Sequence, residues 1–162
     1  MKVTVNNSYL YNIKAGVEFS PYYIKLGYRF WNRGNSNAPG DYNEQYYWSY
    51  LAGGIDYGFV INKLFIKTDI QYQYAINPEL KIYLGNDPVI SLGKTRGFMG
   101  KFELGYPVSN NSVLGINYKY DFWHINASKQ FVLLLNNQEY VMIEPESYTK
   151  NQYLSIYYQF DF

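Results

Sequence analysis

The chain contains no cysteine, which removes disulfide frameworks and thiolate chemistry from consideration. It has a single histidine and no cluster of metal-ligand residues at a recognisable spacing, and it has no Gly-rich phosphate loop. Neither sign of charge dominates: 14 Lys and Arg face 13 Asp and Glu, for a net charge of +1. That balance excludes a basic field able to hold nucleic acid and an acidic one able to collect cations. No stretch approaches the roughly 18 apolar residues of a membrane helix. The opening Met-Lys-Val-Thr-Val-Asn-Asn lacks the apolar core of a secretory signal, so a secreted protein is expected to be present here in mature or truncated form. A helical period is also missing throughout.

What the chain does have is tyrosine. Tyr occupies 21 of 162 positions and aromatic residues make up 21%, a usage that favours strands. Hydrophobic residues reach 48%, yet the mean hydropathy is −0.35. A chain that is aromatic and polar at once fits strands with one greasy and one wet side. The length bounds it to one domain, residues 1–162.

Period-two alternation predicts seven long strands, roughly 8–19, 22–32, 46–59, 64–77, 95–108, 113–127 and 151–162. Their connections alternate in length. Ser20-Pro21, Val60–Lys63 and Asn110–Ser112 are tight, whereas 33–45, 78–94 and 128–150 are long and polar. Short turns on one rim and long loops on the other match an up-and-down antiparallel transmembrane β-barrel. Two of the long loops hold hairpin signals of their own, around Gly85-Asn86-Asp87-Pro88 and Asn136-Asn137-Gln138. Their isolated charges (Glu79, Asp87, Glu139, Glu144, Glu146) are expected to be solvated.

Parity divides each strand into two faces. One carries Ile13, Val17, Phe19, then Ile24, Leu26, then Ile66, Ile70, Tyr72, and so on to Leu154, Ile156, Tyr158, Phe160 and Phe162. No charge falls on it until the loop ends, at Arg96 and His124. The other face carries Lys14, Lys25, Arg29, Lys67, Lys101 and Lys119 against Glu18, Asp56, Asp69, Glu103, Asp121 and Asp161, six of each sign. Charges lining a narrow lumen are partly desolvated and must pair, so this balance predicts a charge-paired, plugged lumen. Gly16, Gly27, Gly54, Gly58, Gly97, Gly105 and Gly115 share the polar face, as small residues do in a crowded interior. Turn lengths predict Phe59 opposite Leu64 and Asp56 opposite Lys67. A three-residue turn at Asn110–Ser112 sets Glu103 opposite Lys119 and Lys101 opposite Asp121, because the alternative would face Lys101 with Lys119. Trp31, Trp48 and Trp123 lie near strand ends and read as interfacial girdle residues.

His124 stands three residues from Asp121, so the two side chains leave opposite faces and make a poor acid–base pair. It reads as an exposed rim residue. No catalytic residue, metal site or cofactor is expected.

The chain ends Tyr153-Leu-Ser-Ile-Tyr-Tyr-Gln-Phe-Asp-Phe162. An alternating last strand with a terminal Phe resembles the assembly signal of Gram-negative outer-membrane proteins, here Tyr158, Phe160 and Phe162. Strand length and loop alternation over nearly the whole chain resemble the small OmpA/OmpX-like barrels, and Gly40-Asp-Tyr-Asn, Tyr46-Tyr47 and Gly53-Gly54 resemble the second loop and following strand of the OmpX type. The resemblance implies residence in the bacterial outer membrane and contact with its lipid and lipopolysaccharide. It also implies insertion by the barrel-assembly machinery, with host or surface ligands met at loops 33–45, 78–94 and 128–150. One departure stands out. Strand 8–19 and the last strand run toward the same rim, whereas antiparallel closure needs an even count. A strand before Met1, or membership of a larger barrel, is expected.

The function this implies is a non-enzymatic barrel serving envelope structure or surface interaction. The alternatives are a small porin-like channel, a rim-site enzyme of the omptin or lipid A-modifying type, and a soluble lipocalin-like ligand-binding barrel. Omptins use an Asp/His pair with further acidic residues and lipid A deacylases use His/Ser; neither pattern is matched here.

Overall fold

The computed structural model describes residues 5–6, 8–36 and 41–160. It is all-β, with no helix among the described residues. The strands are β1 (Val5–Asn6), β2 (Tyr9–Phe19), β3 (Tyr22–Asn32), β4 (Asn35–Ser36), β5 (Asn43–Ile61), β6 (Leu64–Tyr83), β7 (Val89–Ser91), β8 (Thr95–Ser109), β9 (Ser112–Ile125), β10 (Phe131–Leu135), β11 (Gln138–Met142) and β12 (Ser147–Phe160). The seven long strands overlap the predicted ones, with β5, β6 and β12 reaching into the expected loops at 43–45, 78–83 and 147–150. They pair antiparallel in the order β12-β9-β8-β6-β5-β3-β2, with β7 added to the loop end of β6. The expected loop hairpins are present: Lys81 pairs with Val89 across β6–β7, and Leu135 with Gln138 across β10–β11.

Two registers differ from expectation. Asn62 and Lys63 both take positive φ (48° and 72°), which closes a two-residue hairpin turn whose twist matches that of its strands. Ile61 therefore opposes Leu64, Asp56 opposes Asp69 and Lys67 opposes Gly58. Similarly, Ser109 meets Ser112 around Asn110-Asn111, so Lys101 opposes Lys119 and Met99 opposes Asp121. The first turn takes two residues fewer than was read from sequence, and the second takes one fewer. A bulge beside Pro107, which has no N–H to give a ladder, absorbs the remaining residue.

A slip of two keeps every side chain on its face, and the predicted faces hold. Ile13, Leu154 and Ile156 are 73–76% exposed, whereas Arg29 and Asp121 are 1–2% exposed. The sheet is curled tightly enough that β3 and β9, four places apart in the ladder, touch through Arg29 and Asp121. The buried core sits at the loop end: Tyr46, Trp48, Tyr50 and Ala52 of β5, Ala75, Leu80 and Ile82 of β6, Ile90 and Leu92, and Trp123 and Ile125. Leu80 and Ile82 reach it because of an irregularity in the β5–β6 ladder, where Tyr47 pairs with Glu79 but Ser49 with Ile76. The extra residue falls at Asn77, which has φ of 48°, and one inserted residue reverses which parity faces inward.

The tryptophans depart from expectation. Trp48 and Trp123 are no interfacial girdle: they are 1% and 0% exposed, with ring centroids 5.0 Å apart in an edge-to-face contact. Both occupy inward-facing positions, and Trp31 stacks on Tyr46 against the same core. Glycine makes the room. A Cβ on Gly97 would come 2.8 Å from the Trp123 ring, and one on Gly27 would come 2.2 Å from the Tyr50 ring.

Candidate functional site

The interior is graded from one rim to the other. At the loop end lies the aromatic core. In the middle lies one buried ion pair. Toward the short turns it opens into a charged vestibule.

The pair is Arg29 Nη1 to Asp121 Oδ2, 2.7 Å, with side chains 1% and 3% exposed. The Gln73 amide donates to the other carboxylate oxygen at 3.4 Å. The guanidinium carbon lies 5.3 Å from the Trp123 ring centroid and 5.8 Å from that of Trp48, within cation–π range. The Tyr50 hydroxyl, from the same aromatic group, donates to Asn12 Oδ1 at 2.6 Å. A charge this deeply buried is tolerable only with a partner at this distance.

The vestibule collects the rest of the predicted network. Lys25 pairs with Glu18 at 2.7 Å and Lys67 with Asp56 at 2.8 Å, and Lys101 pairs with Glu103 on its own strand. Asp69 accepts a hydrogen bond from the Tyr23 hydroxyl, and Lys14 donates to the Gln71 side-chain oxygen at 3.1 Å. Lys119 is not paired with Glu103, nor Lys101 with Asp121, as expected from sequence. Lys119 instead lies 5.3 Å from the Tyr153 ring centroid. All eleven predicted network residues, Lys14, Glu18, Lys25, Arg29, Asp56, Lys67, Asp69, Lys101, Glu103, Lys119 and Asp121, make ion-pair, hydrogen-bond or cation–π contacts, several with partners other than those expected, and Glu18 does so while largely exposed. Tyr158 and Phe160 are on the outward face, 61% and 49% exposed. Phe162 and Asp161 lie outside the described residues.

Sequence parity places Gln71 and Gln73 on the polar face with Lys67 and Asp69, but a network drawn from charges alone left them out. Sequence reading also missed a cluster at the loop rim. Glu44 is 2% exposed. It accepts from Tyr46 Oη at 2.8 Å and meets Arg33 Nη1 at 3.2 Å. Arg33 Nη2 also holds Asp41 at 2.7 Å. Glu144, expected to be solvated, instead receives the Tyr46 hydroxyl at 3.3 Å. Burial raises the Glu44 carboxyl above its ordinary range, outweighing Arg33, which lowers it. Glu144 is raised by burial and then by the charge of Glu44. One hydroxyl proton thus faces two carboxylates. Asp41 and Glu44 bracket the Tyr42-Asn43 step into β5, and inward parity at Glu44 and Tyr46 was the available signal.

His124 Nε2 meets Glu146 Oε1 at 2.8 Å, and its ring stacks on Tyr148 with centroids 4.6 Å apart. Glu146 also accepts from the Tyr148 hydroxyl, and these hydrogen bonds hold the Glu146 carboxyl below its ordinary range. The group ties β12 to β9 at the rim, on the face opposite Asp121. No group of three or more metal-ligating residues occurs among the described residues. No protein-family model and no curated protein sequence matches the chain.

Proposed function

We propose that the chain is an integral β-barrel protein of a bacterial outer membrane. Its outward face meets lipid, its lumen is plugged, and its long loops serve envelope structure or contact at the cell surface. The observation that carries this is an inversion. Large apolar side chains stand exposed along every long strand, such as Ile13 (73%), Leu26 (62%), Ile70 (55%) and Ile156 (76%), while a charged Arg–Asp pair is buried. Water-soluble domains do the reverse and rarely leave a contiguous apolar surface of this extent. Each long strand has at least 11 residues, enough for a tilted strand to cross a bilayer, which takes about 9–11. The lengths of β5 and β6, 19 and 20 residues, extend well past that span and carry the loop ends beyond it as ribbons. Among the described residues no helix is long and apolar enough to cross a membrane.

The non-conducting reading is supported by the buried pair and the packed Trp48 and Trp123 rings, which are 0–1% exposed. In a barrel of about eight strands the interior is just wide enough for side chains to fill. The test is reconstitution. The protein is expected to require detergent to stay monodisperse, to float with lipid vesicles after dilution, and to give no stable openings in a planar bilayer. A monodisperse protein without detergent refutes the membrane reading. Stable conductance steps refute the plug and favour the porin-like alternative.

A further inference from the structure

Three neighbouring cavities of about 370, 660 and 380 Å³, all lined by Lys67, make up the vestibule toward the short turns. Its inner part is lined by five lysines and four carboxylates. Three of the lysines are matched, Lys25 to Glu18, Lys67 to Asp56 and Lys101 to Glu103. The fourth carboxylate, Asp69, is taken by the Tyr23 hydroxyl and stands across the ladder from Lys101. Lys14 and Lys119 are left over. Among the described residues neither has a carboxylate within ion-pair distance: Lys14 holds an amide oxygen and Lys119 sits against a ring. The nearby Asp121 is committed to Arg29. Both line the same cavity, and Lys119 also stands directly opposite Lys101.

From this we infer that Lys14 and Lys119 form an oxyanion site at the inner end of the vestibule, fitted to a carboxylate or a phosphate. The inference rests on the reading of the polar face as an enclosed lumen. An anion between the two accepts charge-assisted hydrogen bonds from both and cancels a like-charge contact in a partly desolvated space. The chemistry has two sources. One is a small soluble anion entering from the short-turn mouth. The other is an acidic side chain of an extended segment lying along the outer edge of β2, the strand that carries Lys14, since no ladder occupies that edge among the described residues.

The test is lysine acylation of the intact chain, read by mass spectrometry at mildly alkaline pH and constant ionic strength. Sodium chloride is compared with inorganic phosphate. A third arm adds a capped peptide alternating Leu and Thr with one central Asp, against its Asn counterpart. The exposed Lys129 is the internal control. Phosphate is expected to slow acylation of Lys14 and Lys119 several-fold, leave Lys129 unchanged, and raise the Tm of the wild type more than that of Lys14→Gln or Lys119→Gln. Protection by the Asp peptide alone assigns the oxyanion to a side chain and still supports the site. Equal rates in every arm, or equal slowing at Lys129, overturn it. The same experiment without detergent separates the two readings. Protection in a protein monodisperse in plain buffer keeps the anion site and sinks the membrane reading. A protein that needs detergent and shows no protection does the opposite.

Discussion

Asp121→Asn is the sharpest perturbation of the buried ion pair. It removes the charge that Arg29 meets at 2.7 Å while keeping side-chain volume, and it leaves a guanidinium that is 1% exposed without a counter-ion. Arg29 has little to fall back on. Its Nε is already without a hydrogen-bond partner, and the Trp48 and Trp123 faces supply cation–π attraction on the order of 1–2 kcal/mol at best. Breaking a buried pair from one side costs about 3–5 kcal/mol. For a chain of this length each kcal/mol is worth roughly 2–4 °C of Tm, so the expected loss is roughly 6–20 °C. Thermal unfolding followed by circular dichroism in detergent micelles at a fixed scan rate measures it. The companion variant Arg29→Met with Asp121→Leu removes both charges. It is expected to lie within about 1–2 kcal/mol of wild type, because an apolar pair of similar volume replaces a buried ion pair at little cost. The reasoning fails if Asp121→Asn loses less than an exposed control such as Ser155→Ala, or if the double variant loses as much as the two single variants added together.

Other outcomes follow from the same geometry. Gly27→Val places a side chain where a Cβ alone would lie 2.2 Å from the Tyr50 ring. The overpacking is expected to cost about 1–3 kcal/mol, visible as a lower Tm, with Gly53→Val milder because a Cβ there meets nothing nearer than 4.0 Å. Ile70→Lys puts a charge on the outward face of β6. It is expected to destabilise by about 2–4 kcal/mol in vesicles if that residue lies near the bilayer midplane, as measured by urea unfolding from lipid, and an unchanged midpoint there counts against lipid contact. At the loop rim, Glu44 and Glu144 hold their protons to higher pH folded than unfolded. The folded chain then binds more protons above the ordinary carboxyl value of 4.5, and stability falls as pH rises from there through the raised values. Glu144→Gln should therefore raise Tm at neutral pH and converge with wild type on acidification; a constant offset across the range would refute the shared-proton contact at Tyr46.

Strands and faces were legible in this chain because parity belongs to one strand at a time. Leu154 and Asp121 declare their sides through their immediate neighbours, whatever the partner strand does. The same parity also placed Trp123 with Asp121 and Trp48 with Ala52, and reading these rings as girdle residues set it aside in favour of their position near strand ends. Gly97 opposite Trp123 and Gly27 opposite Tyr50 were a second sign that large rings fill the interior there. Register belongs to a pair of strands and depends on how many residues the turn consumes. Asn62 and Lys63 close theirs with two left-handed residues, a tighter turn than composition alone implied for Val60–Lys63. The rejected alternative, Lys101 facing Lys119, is the one the chain adopts. It was rejected on the premise that a charge must pair with the residue straight across. Long side chains relax that premise: diagonal neighbours two residues along lie within their reach. Lys67 stands opposite Gly58 yet binds Asp56, and Lys101 turns along its own strand to Glu103. A balanced count of charges on one face therefore constrains the sum of the pairs while leaving their identity to the turns, and a surplus cation such as Lys119 is visible only once each pair has been drawn.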